Sequence, residues 1–178
     1  RPRLRSAVAF TLGEVYESLG DYDRSRELLE ESLHLRTDDP DRAEDLAETL
    51  QALGSSARFT GDYEQALDSF ERALELQLTT LGPEHAEVAE TLNGMAIVAR
   101  RQGRYEKAEE LYTRSLGIRE KVFGAEHPIV ARSLNNMALL YYYQGRLEAA
   151  ETMYRRALEI KEAILEPNHP SLARGLNN

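Results

Sequence analysis

The residues best able to do chemistry recur at one step. His85, His127 and His169 lie 42 residues apart, and imidazoles in a regular row raise the question of a metal. Their register argues against it. If each step carries one pair of packed helices, equivalent residues sit two helix widths apart, roughly 16–20 Å. A zinc ion needs its ligand nitrogens at ~2.1 Å. The sequence therefore predicts no metal site, and the three histidines are read as caps at the junctions between units; His34 is isolated. No cysteine is present, which removes thiolate chemistry and disulfides and fits a reducing, cytoplasmic setting. Glycine-rich phosphate loops and His-Glu-x-x-His motifs are missing. The carboxylates are spread at helical spacing, as in Glu106, Glu109 and Glu110, in the manner of a solvated face. No catalytic residue and no cofactor is predicted.

A second recurring set suits recognition better than catalysis. Asn93, Asn135 and Asn177 keep the same 42-residue step. An amide side chain has two donors and an acceptor and can pair with an extended peptide backbone whatever its side chains. Arg58, Arg100, Arg101 and Arg132 add planar forks that match carboxylates. Phe59, Tyr142 and Tyr143 add stacking surface. Each group also has a plainer reading. The asparagines bond a neighbouring helix, or a ligand. The arginines pair with Glu48 and Glu90, or with a partner. Tyr141 is read as core.

The elements that must position these residues follow from the repeat itself. Leu92–Ala96 reads Leu-Asn-Gly-Met-Ala and Leu134–Ala138 reads Leu-Asn-Asn-Met-Ala. Gly20, Gly61, Gly103 and Gly145 align the units. Behind each glycine come a large residue (Tyr22, Tyr63, Tyr105, Leu147), a small one (Ser25, Ala66, Ala108, Ala150), a bulky one (Leu29, Phe70, Tyr112, Tyr154) and a small one again (Ser32, Ala73, Ser115, Ala157). Spacings of three and four place them on one helix face, and alternating bulk lets helices interlock. Ahead of each glycine, Leu12, Leu53, Met95 and Met137 precede a small residue, and Gly13 and Gly54 are read as kept for close packing. The glycine between helices suits a left-handed cap. The pattern predicts helix pairs over 4–19/22–36, 42–60/63–80, 85–102/105–122 and 127–144/147–164, in repeats of about 4–40, 41–82, 83–124 and 125–166. Residues 167–178 open a fifth. The expected fold class is all-α: an α-solenoid of stacked antiparallel helix pairs, four repeats plus the start of a fifth pair, forming one domain.

Composition narrows the partners. A net charge of −9 argues against nucleic acid, which needs a basic face. The longest apolar run, about Met137 to Tyr143, is far short of the ~18 residues of a membrane span, and no signal-like segment opens the chain. Arg1-Pro2-Arg3 lacks an initiator Met, as expected of a piece of a longer protein. Arginine outnumbers lysine nineteen to three, a usage associated with high-GC bacteria. Leu158 and Ile160, on the last second-helix, are expected to be poorly covered, which invites self-association at the C-terminal end.

Over essentially its whole length the pattern resembles the tetratricopeptide repeat. The 42-residue step and the junctions Leu81-Gly82-Pro83-Glu84-His85 and Phe123-Gly124-Ala125-Glu126-His127-Pro128 resemble the long repeats of kinesin light chain. Repeat one, with Leu12–Tyr22 and Leu28-Leu29-Glu30, is similar to repeats that follow bacterial serine/threonine kinase domains. The resemblance implies a non-catalytic interaction module whose first helices line a concave, peptide-holding groove. It places toward that groove Ala7, Phe10, Glu14, Glu17 and Ser18 in repeat one, and Glu48, Gln51, Ser55, Arg58 and Phe59 in repeat two. In repeat three the places are Glu90, Asn93, Ile97, Arg100 and Arg101. In repeat four they are Arg132, Asn135 (with Asn136 beside it), Leu139, Tyr142 and Tyr143, and in the fifth Arg174 and Asn177. The implied partner is a protein or peptide, an extended acidic segment with an aromatic anchor. The alternative is a regulatory or self-assembly region of a larger bacterial signalling enzyme such as a serine/threonine kinase.

Overall fold

The computed structural model describes residues 2–37 and 42–164. Eight helices run in order: α1 (Pro2–Ser18), α2 (Tyr22–Thr37), α3 (Ala43–Thr60), α4 (Tyr63–Thr80), α5 (Ala86–Arg101), α6 (Tyr105–Phe123), α7 (Pro128–Tyr143) and α8 (Leu147–Ile164). They form four consecutive pairs, α1/α2 to α7/α8. The chain divides into two compact units, Arg1–Pro83 with α1–α4 and Glu84–Asn178 with α5–α8. Every helix end falls within two residues of its predicted place. Repeat five, with Asn177 and His169, lies outside the described residues.

The turns show why the boundaries were so sharp. Gly20, Gly61, Gly103 and Gly145 have φ of +79°, +84°, +74° and +73°, a conformation that costs glycine nothing. At the first, Gly20 N–H donates to the Glu17 carbonyl and Asp21 N–H to that of Tyr16, which closes the helix and turns the chain. After Gly61 the next helix, α4, starts at once, with the Asp62 carboxylate accepting from Gln65 N–H at 3.2 Å. Between pairs, His85 Nδ1 accepts from Glu87 N–H and His127 Nδ1 from Ile129 N–H, each at 3.3 Å. Both imidazoles are therefore N-caps, satisfying a donor that the helix itself leaves open.

Within pairs the bulky–small alternation packs as the sequence implies. Leu29, Phe70 and Tyr112 are buried, as are the small residues Ser25, Ala66, Ala108 and Ala150. A Cβ on Gly13 would lie 2.7 Å from Leu29 Cγ, and one on Gly54 2.7 Å from Phe70 Cδ1. Buried hydroxyls tie second helix to first: Ser32 donates to the Ser6 carbonyl at 2.9 Å and Ser115 to that of Ala89 at 2.6 Å.

Three expectations change. Leu12 is exposed while Leu53, Met95 and Met137 are buried, because among the described residues no second helix lies against α1 as α2 lies against α3. Phe10 turns inward, packing with Leu29 and Leu53 instead of reaching a groove. Ile160 is buried among Val130, Ala131, Leu134 and Ala157, which takes it out of any association surface at the C-terminal end.

Candidate partner-binding face

In the second unit the candidate residues lie on the two first helices, α5 and α7. Helical register brings α5's Glu90, Asn93 and Arg100 beside α7's Arg132, Asn136 and Tyr143, and three contacts join the two helices. Asn136 Nδ2 donates to Asn93 Oδ1 at 2.9 Å. Arg132 donates to Glu90 Oε2 at 2.8 Å. The Arg100 guanidinium stands 5.4 Å from the Tyr143 ring centre, within cation–π range.

Behind Glu90 lies a residue that the sequence reading passed over. Arg119, on α6, is fully buried. It donates to Glu90 Oε2 and, at 2.5 Å, to Ser133 Oγ. Burial lowers its pKa and the Glu90 carboxylate works against that. Glu90 is thus clamped between a buried arginine and the exposed Arg132. The first unit repeats the device: buried Arg36 donates to Thr49 Oγ1 and to the Asp45 carbonyl, with Glu48 3.9 Å away. The signal was present in register, since Arg36, Gln77, Arg119 and Lys161 occupy one repeat position.

Some candidates are committed and others are not. Asn93 is buried and its oxygen is taken. Asn135 is half-buried, and among the described residues no hydrogen bond engages its amide. Arg101 is exposed and likewise uncommitted. Tyr142 and Tyr143 are more than half exposed and meet edge-on, ring centres 6.0 Å apart. Arg100, Arg101, Gln102, Gly103, Tyr105 and Tyr143 line an open cavity of about 330 Å³. Among the described residues the buried Nε of Arg100 has no hydrogen-bond partner. Nearby Tyr154 has its pKa raised by burial, against which the Arg100 charge pulls down. Tyr141 is core, as read, and its hydroxyl donates to Glu109 at 3.1 Å.

Arg58 belongs to the first unit. Its guanidinium stacks over Phe59 at 4.1 Å, and Phe59 stacks on Tyr22 at 4.8 Å. Ser55 donates to Glu17 at 2.7 Å. Burial, then the neighbouring Glu17, raises the pKa of Glu14. In the first unit Glu14 and Glu17 make this surface acidic; in the second unit, taken by itself, Arg100 and Arg101 make the end of α5 basic.

A tetratricopeptide-repeat family model matches residues 4–79, 45–121 and 87–163 in overlapping stretches. The chain belongs to the tetratricopeptide repeat family. No curated protein matches it in sequence. Among solved structures, this repeat chain resembles BtubC (BKLC) from P. vanneervenii with a TM-score of 0.82 at 23% identity, over 93% of this chain and 66% of that one. It resembles a Podosopora anserina protein described as a kinesin light chain with nearly identical TPR-like repeats, with a TM-score of 0.78 at 24% identity, over 99% and 87%. The apo form of RapI gives a TM-score of 0.79 at 18% identity, over 89% and 56%. The chain thus spans about two thirds of BtubC and just over half of RapI. These likenesses show the tetratricopeptide fold. Among the described residues no helix is long and apolar enough to cross a membrane.

Proposed function

We propose that this tetratricopeptide chain is a non-catalytic interaction module that holds an extended segment of a protein partner on the α5–α7 face. One observation carries the reading. The contacts Asn136–Asn93, Arg132–Glu90 and Arg100–Tyr143 brace the two helices; among the described residues they leave the Asn135 amide and the Arg101 guanidinium uncommitted, beside the exposed Tyr142 ring. Asn135 pairs with the partner's backbone, Arg101 takes a carboxylate, and the Tyr142–Tyr143 pair receives an aromatic anchor. A pre-braced face keeps down the ordering cost of binding. The partner is acidic and peptide-like; it is neither nucleic acid nor membrane, no cofactor takes part, and the setting is cytoplasmic.

The test is a peptide array of acidic, aromatic-containing segments, probed with the wild-type chain and with Arg101→Ala, Asn135→Ala and Arg132→Ala. Loss of binding in the first two supports the assignment. Unchanged binding in all three variants sinks it. The second reading is a regulatory or self-assembly region of a larger bacterial signalling enzyme such as a serine/threonine kinase. It draws on repeat one, whose Leu12–Tyr22 and Leu28-Leu29-Glu30 are similar to repeats that follow bacterial serine/threonine kinase domains. A kinase domain in the parent gene supports it.

A further inference from the structure

Two rings that meet in the first unit stand apart in the second. Tyr22, at the start of α2, and Phe59, at the end of α3, stack with ring centres 4.8 Å apart. Their register equivalents are Tyr105, at the start of α6, and Tyr143, at the end of α7. Among the described residues no ring contact joins that second pair. Both line the open cavity of about 330 Å³ instead, a volume in the range of small-ligand sites. A third ring placed between them would restore the stacking that the first unit makes for itself.

The charges at this place are reversed as well. Glu17, Ser18 and Asp21 in the first unit correspond to Arg100, Arg101 and Arg104 in the second. Glu17 accepts from Ser55, and Asp21 caps α2 by accepting from Arg24 N–H. In the second unit Arg100 and Arg101 line the cavity, and no carboxylate is among its lining residues. Arg104, at the N-cap of α6, brings a cation where Asp21 brings an acceptor. In a chain of net charge −9 this is a local basic site. Arg100 is held against the Tyr143 ring, yet among the described residues neither its guanidinium nor that of Arg101 donates a hydrogen bond.

We propose that the cavity takes a phosphorylated tyrosine of the partner segment. This rests on the α5–α7 reading and joins the aromatic anchor and the acidic group of that reading in one side chain. The ring enters between Tyr105 and Tyr143, and the phosphate meets Arg100 and Arg101. A phosphate monoester carries about −1.5 to −2 charges at neutral pH and three acceptor oxygens, enough to engage two arginine forks. A carboxylate on Arg101 alone leaves Arg100 without an acceptor and the gap between the rings empty. A phosphoserine supplies the charge and no ring. Phosphorylation of the segment therefore strengthens its capture.

Phenyl phosphate, inorganic phosphate and benzoate, each at up to about millimolar concentration, are titrated into the isotope-labelled 178-residue chain and followed by NMR. Phenyl phosphate is expected to move the side-chain N–H signals of Arg100 and Arg101 at a concentration about tenfold below the other two. The peptide array is then printed with each aromatic segment in tyrosine and phosphotyrosine forms. The phosphorylated form should bind about tenfold more tightly. Arg101→Ala should remove that gain. Arg114→Ala, which removes an exposed arginine of α6 that does not line the cavity, should keep it. A phenyl phosphate that leaves both arginine signals unmoved, or that binds no better than inorganic phosphate or benzoate, overturns the proposal. Peptide capture that depends on Asn135 but gains nothing from phosphorylation also overturns it, and leaves the α5–α7 assignment standing. Phenyl phosphate seated at the two arginines while no peptide binds supports the cavity and sinks the α5–α7 assignment.

Discussion

Asn136 donates its side-chain amide to Asn93 Oδ1 across the α5–α7 contact at 2.9 Å. The repeated asparagine is therefore used in two ways. Asn93 is spent inside the scaffold, while among the described residues no hydrogen bond engages the amide of Asn135, its equivalent one repeat on.

Asn93→Ala and Asn135→Ala should accordingly separate stability from binding. Removing Asn93 strips the acceptor from a part-buried amide and should cost about 1–3 kcal/mol. Removing Asn135 breaks no hydrogen bond among the described residues and should stay within about 0.5 kcal/mol, yet weaken peptide capture. Urea unfolding midpoints measure the first effect and array binding the second. Equal destabilisation by both would contradict the division.

Arg119 is the residue on which the α6–α7 contact should depend most. Truncating it to alanine leaves Glu90 with only Arg132, leaves Ser133 Oγ without its donor and opens a cavity. Breaking a buried ion pair from one side typically costs about 3–5 kcal/mol. Arg119→Met keeps the volume, and when combined with Glu90→Gln it removes the stranded charge. The double variant should recover much of the loss in denaturant unfolding. If Arg119→Ala unfolds at the wild-type midpoint, the clamp is not structural.

The sequence made the helices legible because punctuation and packing agree there. One glycine ends each first helix, and the bulky–small phrase fixes the buried face. Partner choice between helices was harder to read. A helical wheel places Asn135 and Asn136 about 100° apart on α7, but the offset between α5 and α7 decides which of them meets Asn93, and that offset is a tertiary quantity. Leu12 and Phe10 failed for a related reason. Their repeat positions predict what a covered first helix would do, and α1 is not covered among the described residues.

Gly54 and Gly117 should respond to alanine with opposite signs. Both are helical, so alanine adds about 1 kcal/mol of intrinsic preference at each. At Gly117 a new Cβ meets nothing within 4 Å, and Gly117→Ala should raise stability by up to that amount. At Gly54 it would lie 2.7 Å from Phe70 Cδ1. The Phe70 ring is buried and cannot swing aside, and overpacking of this kind costs about 1–3 kcal/mol. Gly54→Ala should therefore lower the thermal melting midpoint. A gain at Gly54 equal to that at Gly117 would show that the interlock is loose.

Glu109 supplies a dependence on pH. Burial by itself would raise its pKa, but hydrogen bonds from Arg146 and the Tyr141 hydroxyl outweigh that and hold the carboxyl below its ordinary range. The unfolded chain binds a proton at Glu109 more readily than the folded one. Its contribution is therefore complete above the ordinary carboxylate pKa of about 4.3 and is lost as pH falls through the lower folded value. The Arg146–Glu109 pair is partly exposed, so the effect is modest and screened by salt. Glu109→Gln should unfold at lower urea than the wild type at neutral pH, and the gap should close as the pH falls below about 5. Arg146→Gln should narrow the same gap at neutral pH. A gap that persists unchanged into acid would mean that Glu109 acts through packing rather than through its charge.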